Sequence, residues 1–206
     1  IVKTKKTELL FLALFLRVFG FGGVFAAKIC QVLLSGVIGC VIMLLGRRLF
    51  SSRAALIAGV IWCVYLPLIG FTHYLWPETL YLAVFLPGFY LLVTWWQRSD
   101  GSAGGNGCLV AAGGLVGVSL LIKEVGLWWC VLVCALILWR DRRSSVGLAV
   151  SQSALFALSV GVVILPWTLR NYEVYGRFAS VGATLGQNVY YGLNSRYLNL
   201  DYPPGE

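Results

Sequence analysis

Glu78 is the only charged residue between positions 54 and 97, in a run otherwise made of apolar and aromatic side chains. An ionised carboxylate in such a setting is costly and by default marks a functional position. The pair Lys123-Glu124 interrupts a second apolar stretch, which carries no charge after Asp100, and Arg170-Asn171 closes a third. A lysine ammonium is a compact point charge, and an arginine guanidinium is a planar fork that matches phosphate, so both suit an anionic group held at the end of a hydrophobic run. A carboxylate nearby can orient a nucleophile, share its proton or hold a metal ion. His73, the one histidine, stands shortly before Glu78, where an imidazole could reach a phosphate, a metal or Glu78 itself. Glu78 is thus a candidate catalytic residue, Lys123 and Arg170 are candidates for phosphate binding, and His73, Glu124 and Asn171 are candidates for lining a pocket.

Each residue also has a plainer role. Pro77 fits a first helical turn and Glu78 would complement the helix dipole there. Lys123 could snorkel beside Glu124, and an arginine or histidine at a membrane surface needs no further explanation. Trp76, Trp128, Trp129, Trp167, Tyr190 and Tyr191 could stack on a sugar or a prenyl chain, or form the usual interfacial aromatic belt. The sequence shows no Cys/His metal-ligand spacing. A divalent metal ion as cofactor stays open.

The elements that must position these residues follow from where charge is missing. A hydrocarbon core of about 30 Å needs about 20 helical residues. Positions 29–46 carry no charge, 54–97 carry one, 101–122 none, 125–139 none, and 144–169 none. The expected fold class is therefore all-α, a polytopic transmembrane bundle of about six spans, roughly 26–46, 54–74, 78–97, 106–122, 125–139 and 146–166. A tip is expected near Leu75-Trp76-Pro77-Glu78. The last span is expected to stop at Pro166, where a residue without an amide donor, the amphipathic ring of Trp167 and the charge of Arg170 mark a membrane boundary. Residues 167–206 would then form a non-cytoplasmic segment. Positions 9–19, followed by Gly20-Phe21-Gly22-Gly23, are short for a span and fit an interfacial amphipathic helix over 1–25; a span over 9–25 is the alternative.

Composition agrees with this bundle. Hydrophobic residues make up 59% of the chain and charged residues 12%, and mean hydropathy is +0.84, whereas a soluble domain carries roughly a quarter charged residues. The net charge of +8 does not imply nucleic acid, because the basic residues sit in short loops between apolar runs. Arg47, Arg48, Arg53, Arg98, Arg140, Arg142 and Arg143 fall on one face, cytoplasmic by the positive-inside rule. Glu78, His73, Lys123-Glu124 and the tail then share the opposite face. The six cysteines lie within or beside apolar runs and are expected to be packing residues. Gly113-Gly114-Leu115-Val116-Gly117 has the spacing of close helix packing. The 101–107 glycine run lacks the Gly-Lys-Ser/Thr ending of a phosphate loop and is expected to be a flexible cytoplasmic turn.

Several stretches in this order resemble one family. They are Ala26-Ala27-Lys28-Ile29-Cys30-Gln31, Gly46-Arg47-Arg48-Leu49-Phe50 with Ala54-Ala55-Leu56, Tyr65-Leu66-Pro67, Pro77-Glu78-Thr79-Leu80-Tyr81 and Leu121-Ile122-Lys123-Glu124. They continue in Pro166-Trp167-Thr168-Leu169-Arg170-Asn171, then Tyr175-Gly176-Arg177-Phe178 and the Gly186 to Asn194 segment. Together they resemble the polyprenyl-phosphate-sugar glycosyltransferases of the GT-C superfamily, glycosyltransferase family 39 type, in the branch of protein-mannosyltransferase-like and aminoarabinose-transferase-like enzymes. The resemblance implies an integral, multi-pass protein of a cell-envelope membrane, the bacterial inner membrane being the expected one. It implies transfer of a sugar from a polyprenyl-phosphate donor to a protein or lipid acceptor at the non-cytoplasmic face, with inversion. In that family the principal catalytic acid stands on a first non-cytoplasmic loop, which has no counterpart here. The chain begins at Ile1 without methionine and is expected to be an N-terminally truncated fragment, inactive alone, with Glu78 in an assisting role.

Two other classes remain open from the residues. A transporter or flippase of lipid-linked sugars would also place polar groups at helix tips, but should show broken spans and repeated halves; no repeat or mid-span charge is present. A structural membrane subunit would not need Glu78 and Lys123 on the same face.

Overall fold

A computed structural model describes residues 6–98, 103–123, 126–141 and 145–176. Every regular element among them is helical. The elements are α1 (Lys6–Phe19), a 3-10 turn over Gly20–Gly22, α2 (Gly23–Leu49), α3 (Ser52–Val64), α4 (Leu66–His73), α5 (Pro77–Gln97), α6 (Ala103–Ile122), α7 (Leu127–Asp141) and α8 (Val146–Tyr175).

Local chemistry sets most of the boundaries. Ser51 Oγ accepts from the amide of Ala54 at the start of α3, and Ser145 Oγ accepts from that of Leu148 at the start of α8. Both are N-caps that satisfy a donor the helix itself leaves orphaned. Gly176 ends α8 with φ +63°, a left-handed conformation open to glycine, and its amide donates to the Tyr172 carbonyl. After α1 the chain turns at Gly20, φ +55°, so sharply that a Cβ on Gly23 would lie 2.6 Å from the Phe15 carbonyl oxygen. An N-terminal helix followed by a glycine turn is thus what the chain forms.

The helices pack in the order α3, α2, α5, α6, α8, α7, with α1 and α4 also against α2. Helices α6 and α8 approach each other closely. A Cβ on Gly113 would lie 2.7 Å from Ser159 Cβ, and one on Gly117 would lie 2.9 Å from Val163 Cβ. The Gly-x-x-x-Gly spacing is therefore a packing seam, as its chemistry suggests: without side chains the two backbones come near enough for dispersion to act where no hydrophobic driving force exists. Leu109, Ala112, Leu120 and Phe156 are fully buried around it. The outer surface is apolar, with Leu33, Leu56, Leu158 and Val162 each about two-thirds exposed, while Gln31 and Ser119 are fully buried. Polar groups inside and apolar groups outside are what a lipid solvent requires.

Among the described residues four stretches are long and apolar enough to cross a membrane: Leu10–Leu49, Pro77–Gln97, Gly105–Ile122 and Val146–Val174. The chain is thus a helical membrane bundle, and the structure refines the expected spans. The 54–74 segment is two helices bent by 52° at Tyr65, because Pro67, at the start of α4, has no amide with which to continue α3. The 125–139 segment is helical, but the 15 residues of α7 reach only about 22 Å, short of a hydrocarbon core. Helix α8 does not end at Pro166; it passes through the proline and runs to Tyr175. Helix α6 starts at Ala103, so most of the glycine run expected as a turn is helical.

Candidate functional site

The site begins at the α4–α5 tip. Leu75 has φ +56°, rare for a branched side chain, and turns the chain after α4. Trp76 follows with extended backbone, Pro77 opens α5, and Glu78 falls in its first turn. There the free amides and the helix dipole favour a negative charge. The tip is closed by the Trp76 amide donating to the Phe71 carbonyl at 3.1 Å and by a stack of the Phe71 and Trp76 rings, 5.3 Å between centroids.

Lys123 enters from α6. Its amide donates to the Ser119 carbonyl, extending that helix by one bond, and its ammonium Nζ lies 2.5 Å from Glu78 Oε1. The two side chains are 35% and 23% exposed. A buried pair that loses one partner costs about 3–5 kcal/mol, and an exposed pair contributes about 1 kcal/mol or less; this pair sits between those limits. Glu78 Oε2 is shielded from solvent and has no hydrogen-bond partner among the described residues. A charged acceptor left in that state is expensive. The same carboxylate therefore fixes an ammonium with one oxygen and offers the other to a donor.

Helix α8 supplies the third wall. Because Gly113 meets the Phe156–Ser159 turn and Gly117 the Val160–Val163 turn, α6 and α8 run in the same direction. The C-terminal end of α6 therefore lies alongside the Thr168–Asn171 turn of α8. Thr168 and Asn171 are both buried. Arg170, on another face of α8, is exposed and holds its guanidinium over the Trp167 ring, 5.0 Å from the centroid. His73 is exposed and meets Tyr74 edge-on at 5.4 Å. Of the residues singled out from the sequence, Glu78 and Lys123 are in contact, and Asn171 faces inward at the same end. Glu124, Tyr190 and Tyr191 lie outside the described residues. Among the described residues no three His, Cys, Asp or Glu side chains come together as a metal site.

Two features escaped the sequence. Gln31 of α2 is fully buried with its amide against backbone carbonyls of the tip; an uncharged polar residue in an apolar run was the available signal. Below Glu78, Tyr81, Phe85 and Phe89 stack along α5 with centroids 5.3 and 6.4 Å apart. Trp129 of α7 lies 5.8 Å from both Phe85 and Phe89. Helical i, i+4 spacing of aromatics was visible, but the partner from α7 was not.

The opposite end of the bundle gathers cations. Arg48 donates to Gln97 Oε1 at 2.6 Å and to the Tyr90 hydroxyl at 3.2 Å. Arg140 donates to the Arg98 carbonyl at 3.1 Å and lies over the Trp95 and Trp96 rings at 4.8 and 5.0 Å. The charge segregation legible in the sequence holds in three dimensions: Arg47, Arg48, Arg53, Arg98 and Arg140 stand at one end, Glu78 and Lys123, with Arg170, at the other.

The sequence model of one family, dolichyl-phosphate-mannose-protein mannosyltransferase, matches residues 8–168. The match spans most of the chain and includes Glu78, Lys123 and the α6–α8 seam. No curated protein and no solved structure matches.

Proposed function

We propose that this chain, which belongs to the dolichyl-phosphate-mannose-protein mannosyltransferase family and so to the GT-C type of membrane glycosyltransferases, takes a sugar from a polyprenyl-phosphate donor and passes it to a protein or lipid acceptor. The transfer takes place at the non-cytoplasmic face, with inversion at the sugar carbon. The observation that carries this is the ion pair of Lys123 with Glu78, set at the end of the bundle opposite Arg48 and Arg140, with Glu78 Oε2 buried and without a partner among the described residues.

The chemistry is a displacement. The bond between the sugar carbon and the phosphate oxygen breaks as the acceptor's nucleophilic atom bonds to that carbon, one further negative charge settles on the lipid phosphate that leaves, and the acceptor's proton passes to a carboxylate base, the role that the resemblance places on the family's first non-cytoplasmic loop. A fixed ammonium at that oxygen stabilises the charge as it develops, which lowers the barrier more than it tightens the ground state. Lys123 takes this role: one of its three N–H donors is held by Glu78 Oε1, which fixes its direction and leaves donors for phosphate oxygens. Arg170, one turn beyond Trp167, adds a second cation for the same group. Glu78 Oε2 accepts from the acceptor's donor group and orients it, and the inward Asn171 lines the same space.

The bend at Tyr65 is a broken span of the kind expected of transporters of lipid-linked sugars. It has a local cause in Pro67 and no charged residue beside it in the sequence, so it does not favour that class. In full-length protein, Glu78→Gln keeps the side-chain shape and removes the charge. Glycosyl transfer from a polyprenyl-phosphate sugar should fall at least about tenfold, roughly 1.4 kcal/mol of barrier, at unchanged expression. Transfer at the wild-type rate would reduce Glu78 to a helix-start residue.

A further inference from the structure

Gln31 is fully buried in α2, where a side-chain amide is stable only if its donors and acceptor find partners. Its amide lies between the Phe71 and Thr72 carbonyl oxygens on one side and that of Trp76 on the other. With the nitrogen turned to the first two it donates to both at 3.2 Å; turned the other way it donates to Trp76 at 3.3 Å. Either orientation ties α2 to the same short stretch.

That stretch needs a tie. The last carbonyls of any helix have no partner within it, and in a membrane bundle water is not at hand to take their place. At the end of α4 the Gly70 carbonyl accepts from Tyr74 and the Phe71 carbonyl from Trp76. The next residue, Thr72, is buried, and its carbonyl oxygen lies 3.2 Å from the Gln31 amide nitrogen. Leu75, in its positive-φ conformation, is then the hinge between this anchored end and Pro77. Glu78 is two residues beyond the anchored Trp76.

We propose that Gln31 is a positioning residue for Glu78: it caps the C-terminus of α4 from a neighbouring helix, and so fixes the height and direction at which α5 begins and at which the carboxylate meets Lys123. This rests on the reading of Glu78 and Lys123 as the donor-phosphate site. It explains why a hydrogen-bond donor stands in a helix between the apolar neighbours Cys30 and Val32. It also distinguishes Gln31 from Ser119, equally buried, whose hydroxyl only returns to the Val116 carbonyl of its own helix.

The test compares Gln31→Met, of similar length but with no amide, with wild type in full-length protein. Backbone amide exchange should rise about tenfold or more in the 71–80 segment, and stay unchanged in 108–120 and 150–164, because only the tip loses its anchor. Affinity for farnesyl phosphate should fall severalfold. Glu78→Gln, repeated in the Gln31→Met background, should have a smaller effect on that affinity than in wild type, since a carboxylate no longer held in place has less to lose. Unchanged exchange in 71–80 overturns the proposal. So does raised exchange with unchanged affinity, provided Lys123→Met weakens binding; if Lys123→Met is also without effect, the phosphate-site reading fails instead, and the role of Gln31 in it falls too. Should Gln31→Met not fold, Gln31→Glu keeps the length, places an acceptor against the carbonyls, and is judged by the same exchange and affinity comparison.

Discussion

Lys123 Nζ and Glu78 Oε1 stand 2.5 Å apart, joining the C-terminal end of α6 to the first turn of α5. Lys123 reaches a carboxylate 45 positions away in the chain, on another helix. Two charges that would each be costly at the end of an apolar bundle are thereby made compatible with it, and the carboxylate keeps one oxygen for another partner.

Breaking this pair should cost more than removing it. Lys123→Met alone leaves Glu78 as an uncompensated, half-buried charge and should destabilise the bundle by about 1–3 kcal/mol, between the exposed and buried limits. Lys123→Met with Glu78→Gln should be less destabilised than the sum of the two single changes. Thermal unfolding of the four proteins in one detergent gives the cycle, and additive effects would mean the two groups are not coupled.

The α6–α8 seam makes a prediction with its own control. A methyl group added at Gly117 would lie 2.9 Å from Val163 Cβ, whereas one at Gly114 meets nothing within 4 Å. Gly117→Ala should therefore destabilise by about 1–3 kcal/mol through overpacking, while Gly114→Ala should be neutral or slightly stabilising, since alanine loses less entropy in a helix. Equal behaviour of the two in thermal unfolding would contradict the packing.

Much of this arrangement was legible in the sequence, for physical reasons. Charge-free intervals report spans because lipid excludes ions, so α2, α5 and α6 fall where 26–46, 78–97 and 106–122 were expected, and the tip forms at Leu75–Glu78. Gly113 and Gly117 announce close packing because nothing else explains two small residues at that spacing. The resemblance to GT-C glycosyltransferases likewise agrees with the family match over 8–168. Hydropathy, however, does not register a bend, so the break at Tyr65 was invisible although Pro67 was in view. Pro166 looked like a stop, but it removes only one backbone bond, and α8 continues beyond it to Tyr175 with Thr168 and Asn171 packed inward. The partner of Lys123 and the role of Gln31 depend on residues 45 positions away, which linear pattern alone does not rank.

Topology follows from the segregation of charge. With the native cysteines removed, Ser52→Cys, beside Arg53 at the arginine end, should react with an impermeant maleimide only after the membrane is opened. Glu173→Cys, on the last turns of α8, should react from outside in intact cells. The opposite pattern would place Glu78 and Lys123 in the cytoplasm and remove the basis for transfer at the non-cytoplasmic face.

Arg170 should act on the same phosphate as Lys123, although its guanidinium rests over Trp167 in the structure. Arg170→Met should weaken farnesyl phosphate binding, and its effect should shrink in a Lys123→Met background if both cations serve one group. Full additivity would indicate separate sites.

If the Lys123–Glu78 end of the bundle receives a lipid phosphate, removing the ammonium should weaken the binding of farnesyl phosphate to full-length protein. Titrated against wild type and Lys123→Met at one ionic strength, the variant should bind about tenfold more weakly, a loss of about 1.4 kcal/mol, with a smaller loss at higher salt as screening weakens the wild-type contact. Equal affinities in the two proteins, with the fold of the variant intact, would show that Lys123 is a membrane-surface anchor and that the phosphate is held elsewhere.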